Sequence, residues 1–254
     1  MTITSVAELG ILDAVARQAR VAGDTAHRPW PLPSSPWAQA QTRRDILLAY
    51  WRVPIDVLAR LLPVEVAADT FDGEAWLAVS AYRVTGLRVR GLPPLPGLSS
   101  FPQLEVSTPV TVDGIPGLWL FQLESAKQLV IEASKRTHRF PAYRARISTG
   151  HDASGFRFAA KRDGLAFEVA YNGRGSEFTP APGSVEYFLT ERYALYTADG
   201  GRLYRAQVHH PQWQLQGAAG EVEVATLAPL PLEGEPYLLF SSVQDFLLWP
   251  LEEL

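Results

Sequence analysis

The sequence predicts a mainly β domain, an antiparallel barrel or cone that carries three helices. Three observations lead there. The dipeptide Asp-Gly recurs at Asp72-Gly73, Asp113-Gly114, Asp163-Gly164 and Asp199-Gly200, each time between strand-like runs, and this dipeptide supplies the positive φ angles that tight hairpin turns need. Apolar residues make up 47% of the 254 residues and charged residues 20%, a globular composition with material for one sizeable core. Past the N-terminal stretch, helical spacing is confined to short segments between the strand-like runs.

Taken in chain order, Ser5 to about Arg20 reads as an amphipathic helix. Ser5 and Glu8 form a capping box, and Val6, Leu9, Leu12, Val15 and Ala16 fall at helical spacing. The segment HRPWPLPSSPW follows, with Pro29, Pro31, Pro33 and Pro36; it is excluded from a helix or central strand and must wrap over something as extended chain. Residues 1–27 are therefore assigned to an N-terminal helical extension and residues 28–254 to one barrel domain. The extension is a candidate to dock on a neighbouring subunit, which makes a homo-oligomer an expectation.

The Asp-Gly turns pair VEVAADTF with EAWLAVSAYRV, LEVSTPVTV with IPGLWLFQL, FRFAAKR with LAFEVAY, and ALYTA with RLYRAQV. Eight strands in four hairpins make a sheet large enough to curl, and closure protects its edges. Between them, PIDVLARLLP presents Ile55, Leu58, Leu61 and Leu62 as one stripe behind Pro54. SAKQLVIEASKRT opens with a capping box of Ser125 and Gln128 and offers Ala126, Leu129, Val130 and Ala133 for burial. SVEYFLTERYALY places Val185, Phe188, Leu189, Tyr193 and Tyr196 on one stripe, with Arg192 at its edge.

Composition also narrows the function classes. A net charge of −4 without a Lys/Arg run argues against nucleic acid or an anionic membrane surface as partner. The chain has no cysteine, which removes disulfides, thiolate nucleophiles and Cys-based metal sites. The N-terminal stretch lacks the features of a signal peptide and no window approaches a membrane span, so a cytoplasmic setting is expected. No G-x-S-x-G elbow and no phosphate-loop glycine pattern occurs. His27, His138 and His151 fall in predicted loops or at a helix end without ligand spacing, so no metal and no cofactor is expected.

The adjacent His209 and His210 close the run RLYRAQVHH. On a strand Tyr204, Ala206, Val208 and His210 share one face and Arg205, Gln207 and His209 the other, so the two histidines do not chelate one metal together. His210 reads as structural. If the barrel interior is a wet cavity, the polar row with His209 is the better candidate to line it.

Several long motifs resemble, in order and spacing, the uncharacterised bacterial family known as domain of unknown function 2071. They are HRPWPLPSSPW, the run from LLPVEVAADTF to GLSSFP, FPAYRARI, GSVEYFLTERYALY and GRLYRAQVHHPQWQLQ. The resemblance runs from about Arg28 to Pro250. That family is grouped with the acetoacetate decarboxylase-like superfamily, which implies a cone-shaped antiparallel barrel with a small-molecule cavity at its wide end. Decarboxylases of that superfamily form an imine on a lysine that follows a Gly-aromatic-Pro element. The matching element here is Arg139-Phe140-Pro141, and the lysine positions hold Ala142 and Tyr143. An imine-forming amine must sit in the cavity with a depressed pKa, and Lys127, Lys135 and Lys161, the chain's only lysines, are placed elsewhere by their helix and turn positions. Schiff-base chemistry is therefore not expected.

The chain also departs from many relatives, which read Leu-Asn-Val-Arg-Thr-Tyr-Val where it has Leu104-Glu105-Val106-Ser107-Thr108-Pro109-Val110. Glu105 matches an acidic residue that decarboxylase relatives keep near their lysine, unless a one-residue slip turns it outward. Arg192 on an apolar stripe needs a carboxylate partner, from the protein or from a ligand. Arg144 and Arg146 alternate onto one face of the segment that forms the pocket wall in decarboxylases. The proline-stiffened loop Arg90 to Pro102 is placed to cover the cavity mouth. The candidate pocket is thus Glu105, Tyr143, Arg144, Arg146, Arg192 and His209, suited to a carboxylate or carbonyl compound. An enzyme would show a perturbed Glu105 or His209 near a reactive carbon; a binding protein, an apolar pocket with an arginine; a structural or assembly protein, a filled barrel.

Overall fold

The computed structural model describes residues 6–153 and 155–254, with side chains from residue 13 onward. Helix α1 (Val6–Val21) leads into strand β1 (Gln39–Val53), the short α2 (Ile55–Ala59), β2 (Ala67–Ala68), β3 (Thr70–Phe71), β4 (Glu74–Val89), β5 (Phe101–Val112) and β6 (Ile115–Ser125). Then come α3 (Gln128–His138), β7 (Ala142–Arg144), β8 (Arg146–Asp152), β9 (Gly155–Arg162), β10 (Leu165–Phe178) and α4 (Val185–Thr190). The chain ends with β11 (Ala194–Asp199), β12 (Arg202–His209), β13 (Leu215–Ala225) and β14 (Tyr237–Glu253). Among the described residues no helix is long and apolar enough to cross a membrane.

The strands run β1-β4-β5-β6-β11-β12-β14, and β14 pairs back onto β1, so the ring closes. The mainly β barrel expected from the sequence is therefore present. Its sheet is antiparallel except where β6 runs parallel to β11 and β7. All four Asp-Gly turns join hairpins. At three of them Asp and Gly both take positive φ, as at Asp113 (49°) and Gly114 (75°). In the fourth the turn slides one residue, onto Gly200 and Gly201, and Asp199 pairs with Arg202. Two glycines hold the left-handed pair of angles with less strain than Asp and Gly.

The eight-strand expectation was too small, and it missed the two strands that close the barrel. β1 and β14 pair from Gln39↔Leu248 to Tyr50↔Tyr237, a contact between the two ends of the chain that no local turn announces. Strand β13 continues the sheet from β14 into β10, β9 and β8, and this second layer folds over the outside of β1, β4 and β5. Two apolar cores result. Ile46, Leu48, Tyr50, Tyr82 and Leu120 pack inside the barrel, whereas Leu47, Ala49, Trp51, Leu104 and Val106 pack outward against Phe158, Phe167 and Val169. Strands buried on both faces read as continuous apolar runs rather than alternating ones, as DILLAYW in β1 does.

The helices are shorter than their sequence patterns. Of the α2 stripe only Leu58 is buried, with Ile55 and Leu61 exposed. Lys127, not Ser125, caps α3, which buries Val130, Ile131 and His138 and leaves Ala126, Leu129 and Ala133 exposed. Ser184 caps α4 as its oxygen accepts from the Tyr187 amide, but the helix stops at Thr190, so Tyr196 belongs to β11. The Ser5–Glu8 capping box and the stripe positions Val6, Leu9 and Leu12 lie outside the described side chains. The described part of α1 buries Ala14, Gln18 and Val21 instead of Val15 and Ala16, and it packs on its own barrel. Gln18 Nε2 donates to the Gly86 carbonyl and to Thr42, and Arg17 bridges to Asp245. The proline-rich segment wraps the wall as extended chain, where Leu32 and Trp37 pack with Val21, Leu247 and Trp249.

One close approach in the barrel wall requires glycine. Gly117 stands at the parallel seam of β6 and β11, where an added Cβ would meet the Ala194 carbonyl oxygen at 2.6 Å. That atom is backbone and cannot swing aside. Gly117→Ala is therefore expected to destabilise the protein by ~1–3 kcal/mol through overpacking, read as a lower urea midpoint at unchanged slope.

Candidate ligand-binding cavity

The inner row of β1 changes parity partway along the strand. Gln39, Gln41 and Arg43 line the cavity, yet beyond them it is Ile46, Leu48 and Tyr50 that face the inner core. The switch is a bulge at Asp45, which sits at φ 53° where the pairing with β4 shifts between Arg44 and Leu47. Asp tolerates this left-handed angle better than most residues. The bulge is held on both sides: Tyr171 of the outer layer donates to the Asp45 carbonyl at 2.7 Å, and Arg83 bridges its carboxylate at 2.7 Å.

The barrel encloses a cavity of about 240 Å³. Its wall is mostly apolar, with Phe101, Leu120, Leu123, Val208, Phe246 and Leu248 from the strands and Leu129, Val130 and Ala133 from α3. The loop from Arg90 to Pro102 contributes Leu92, Pro93, Leu95 and Leu98. A smaller chamber of about 50 Å³, lined by Tyr50, Ser80, Arg192, His210 and Trp213, adjoins it. Arg43 and Glu105 line both chambers and stand between them.

The polar groups there form one chain. Arg43 Nη2 donates to Glu105 Oε2 at 3.0 Å, Tyr82 donates to the same oxygen at 3.0 Å, and Gln103 Nε2 donates to the Tyr82 hydroxyl at 2.8 Å. Burial, then the Glu105 charge, holds the Tyr82 hydroxyl well above its ordinary pKa against the opposing pull of Arg43, so it stays a donor. The Arg43 guanidinium lies between the rings of Tyr82 and Phe246, at 4.2 and 4.4 Å. Its Nε is buried without a hydrogen-bond partner, one of two such side-chain atoms among the described residues.

Of the residues singled out from the sequence, Glu105 faces the cavity, so no slip of register occurs; Ser80 opposes it on β4. Arg192 reaches the smaller chamber, but its partner is the protein's own Asp69, at 2.6 Å, and its Nε donates to the Phe188 carbonyl. Tyr143, Arg144 and Arg146 lie outside the cavity. Ala142 takes the inward position of β7 and belongs to the inner core, which turns Tyr143 outward between the cations of Arg162 and Lys135. Arg144 and Arg146 are exposed.

The histidines exchange the roles assigned to them. His210 lines the smaller chamber, while His209 is buried on the outer side of the wall. There Arg28 Nη1 donates to His209 Nδ1 and the Val21 carbonyl accepts from its Nε2. The interior is lined by the apolar row of β12, because the end of α1 and the segment following it cover His209 and Gln207 and supply their partners.

Arg43, Tyr82 and Gln103 were missed. An arginine beside an alternating run was visible, but the parity switch at Asp45 hides which side it faces. His138 was missed as a cavity residue too. The Thr137 hydroxyl donates to the Ala133 carbonyl and so accepts from His138 Nδ1 at 2.7 Å, which makes Nε2 the acceptor of that ring. Lys135 and Lys161 are exposed, Lys127 is half-buried at the start of α3, and none of the three lines either chamber. Arg139 takes a left-handed φ of 51° at the end of α3, a conformation that glycine adopts freely.

The sequence profile of the DUF2071 family, described as an uncharacterized conserved protein, matches residues 40–245. The uncharacterized protein YqjF of Bacillus subtilis (strain 168) is 34% identical over 230 residues, which covers 87% of this chain and 95% of YqjF. Among solved structures, the acetoacetate decarboxylase of Legionella pneumophila superposes with a TM-score of 0.63 at 11% identity, over 92% of this chain and 95% of that one. An acetoacetate decarboxylase-like enzyme from Sphingomonas wittichii RW1 gives 0.61 at 14% identity, over 90% and 97%. The enduracididine biosynthesis enzyme MppR complexed with pyruvate gives 0.59 at 14%, over 89% and 93%. At these identities the structural likeness is one of fold.

Two stability experiments follow from the buried groups. Glu105→Gln leaves Arg43 buried without its carboxylate and is expected to cost ~3 kcal/mol, measured by urea unfolding. Burial holds His138, His209 and His210 at about 4, below the ordinary 6.5. The unfolded chain therefore binds more protons between those values, so these groups contribute full stability above pH 6.5, lose it as pH falls toward 4, and lose no more below. The melting temperature is expected to drop across that window, and His209→Gln to make the drop shallower.

Proposed function

The chain belongs to the DUF2071 family, and from that premise we propose that its barrel binds a small, largely apolar molecule through a carbonyl or carboxylate oxygen, without Schiff-base lysine chemistry. The observation that carries this reading is the position of Arg43. It is a cation in the wall of a leucine-rich cavity, with one nitrogen committed to Glu105 and another buried without a partner. An uncompensated N–H in an apolar surrounding costs about 1–3 kcal/mol, and an oxygen atom from a ligand, with a small shift of the guanidinium, offsets that cost.

The positions that the resemblance gives to the lysines hold Ala142, whose methyl group joins the inner core, and Tyr143, and the three lysines lie outside both chambers. The fold is compatible with an oxygen-rich ligand, since MppR is seen with pyruvate, which has both a carbonyl and a carboxylate. A cavity of about 240 Å³ favours a ligand over a barrel filled for purely structural reasons. A cytoplasmic setting belongs to this proposal, in keeping with a chain that has no cysteine.

The test uses hexanoate and 2-octanone as probes. Both are expected to raise the melting temperature of the wild-type protein. The double variant Arg43→Met/Glu105→Leu removes both ions together, which avoids an unpaired buried charge, and is expected to weaken binding of either probe at least tenfold by calorimetry, with its fold checked by urea unfolding. Failure of both probes to bind the wild-type protein overturns the reading. In parallel, acetoacetate with borohydride is expected to leave the protein mass unchanged; an adduct on Lys127, Lys135 or Lys161 overturns the exclusion of imine chemistry.

A further inference from the structure

The polarity of the cavity is inverted. At its inner end Arg43, Glu105 and Gln103, backed by Tyr82, are buried or nearly so, whereas large apolar side chains at its rim are open to solvent beside the half-buried Gln39, Gln41 and Arg88. Val89, Leu92, Leu95 and Leu129 are 57%, 56%, 55% and 63% exposed, and all four line the same cavity. Single exposed leucines are ordinary, but four large apolar side chains gathered around one opening are not.

The rim is also built rather than loose. The loop that carries Leu92 and Leu95 is stiffened by Pro93, Pro94 and Pro96. Local hydrogen bonds shape it, from the Leu92 amide to the Val89 carbonyl and from the Leu98 and Ser99 amides to the Leu95 carbonyl. The Leu87 amide ties its far end to Ser99 at 3.2 Å. Opposite, α3 turns Leu129 and Ala133 to the opening while burying Val130 and Ile131. Each wall of the mouth thus holds its apolar groups outward by regular local structure.

At roughly 30 Å³ for each water-sized group, a cavity of about 240 Å³ holds about eight non-hydrogen atoms. A carboxylate or ketone head with a chain of about five or six carbons fills it. Any longer chain must leave through the mouth and lie on the exposed leucines, which is where further apolar surface is available to cover.

We propose that the ligand is a chain-bearing amphiphile, an alkyl or acyl chain of about eight carbons or more. Its head enters first and meets Arg43, and its tail leaves between the Arg90–Pro102 loop and α3. This rests on the binding reading given above and adds the chain and its direction.

The experiment is a calorimetric series of straight-chain carboxylates from butanoate to dodecanoate, with 2-alkanones of matching length, all below their micelle-forming concentrations. Affinity of the wild-type protein is expected to rise about fourfold for each methylene that fits the cavity, and to keep rising from octanoate to dodecanoate. The triple variant Leu92→Ser/Leu95→Ser/Leu129→Ser alters exposed positions only. It is expected to weaken the binding of dodecanoate at least fivefold more than it weakens that of hexanoate, because the three side chains line the cavity and its rim alike. If hexanoate binds but affinity stops rising beyond it, or if the triple variant holds dodecanoate as well as wild type does, the chain-bearing ligand is overturned and the smaller-ligand reading stands. If no probe of any length binds, both fall. Sedimentation and flotation on phosphatidylcholine vesicles, without probe, complete the test. A dimer or a vesicle-bound form that the triple variant abolishes assigns the rim to a second copy or a lipid surface and overturns the proposal.

Discussion

Strand β1 is buried on both faces, and it must serve two different interiors along its length. Between Ile46 and Val53 it separates the inner core from the core under the second sheet layer. Between Gln39 and Arg43 its inner side is polar and its outer side, Ala40 and Thr42, is covered by α1. A strand with strict alternation cannot put Arg43 and Ile46 on the same side, since they are three residues apart. The bulge at Asp45 resolves this by adding one residue to the count. Without it, either the charge or the apolar row would face the wrong environment, and a slip of one position moves every side chain of the segment.

Three internal ion pairs illustrate what the rest of the wall does with charge. Arg162 pairs with the fully buried Glu124 on the outer side, where burial holds that carboxyl above its ordinary pKa against the pull of the arginine. Arg192 pairs with Asp69 beside α4, and Arg43 pairs with Glu105 between the chambers. Burying such a pair returns little net stability, because desolvation of both ions offsets their attraction. The first two lie at packed junctions of elements. Of the three pairs, only Arg43 and Glu105 line both chambers, which makes them the charged centre of the interior.

The likeness to the decarboxylases is one of fold. The barrel of this family member superposes on the Legionella enzyme over most of both chains, yet the inward position of β7 is an alanine packed among Leu123, Ile131 and Phe140. With an apolar filling at that point, the buried ion pair and its hydrogen bonds lie on β1, β4 and β5. The cavity is thereby organised around a guanidinium, which is always charged and whose planar fork is suited to oxygen ligands.

The hairpins were legible because Asp-Gly turns and the alternation between them are properties of a few neighbouring residues. So was the two-row pattern of β12, and so was the shortage of amines, which any fold would inherit. Closure of the barrel by β1 and β14 was not legible, since the two strands come from opposite ends of the chain and nothing local marks them as partners. For the same reason the sequence separated His209 from His210 without deciding which lies inside. Alternation is a local property of a strand, but inside and outside exist only once distant segments have covered one of its faces. Here the end of α1 and the segment after it give His209 its partners at Val21 and Arg28, and that long-range packing, together with the bulge at Asp45, selected Arg43 and Glu105 as the polar centre of the cavity.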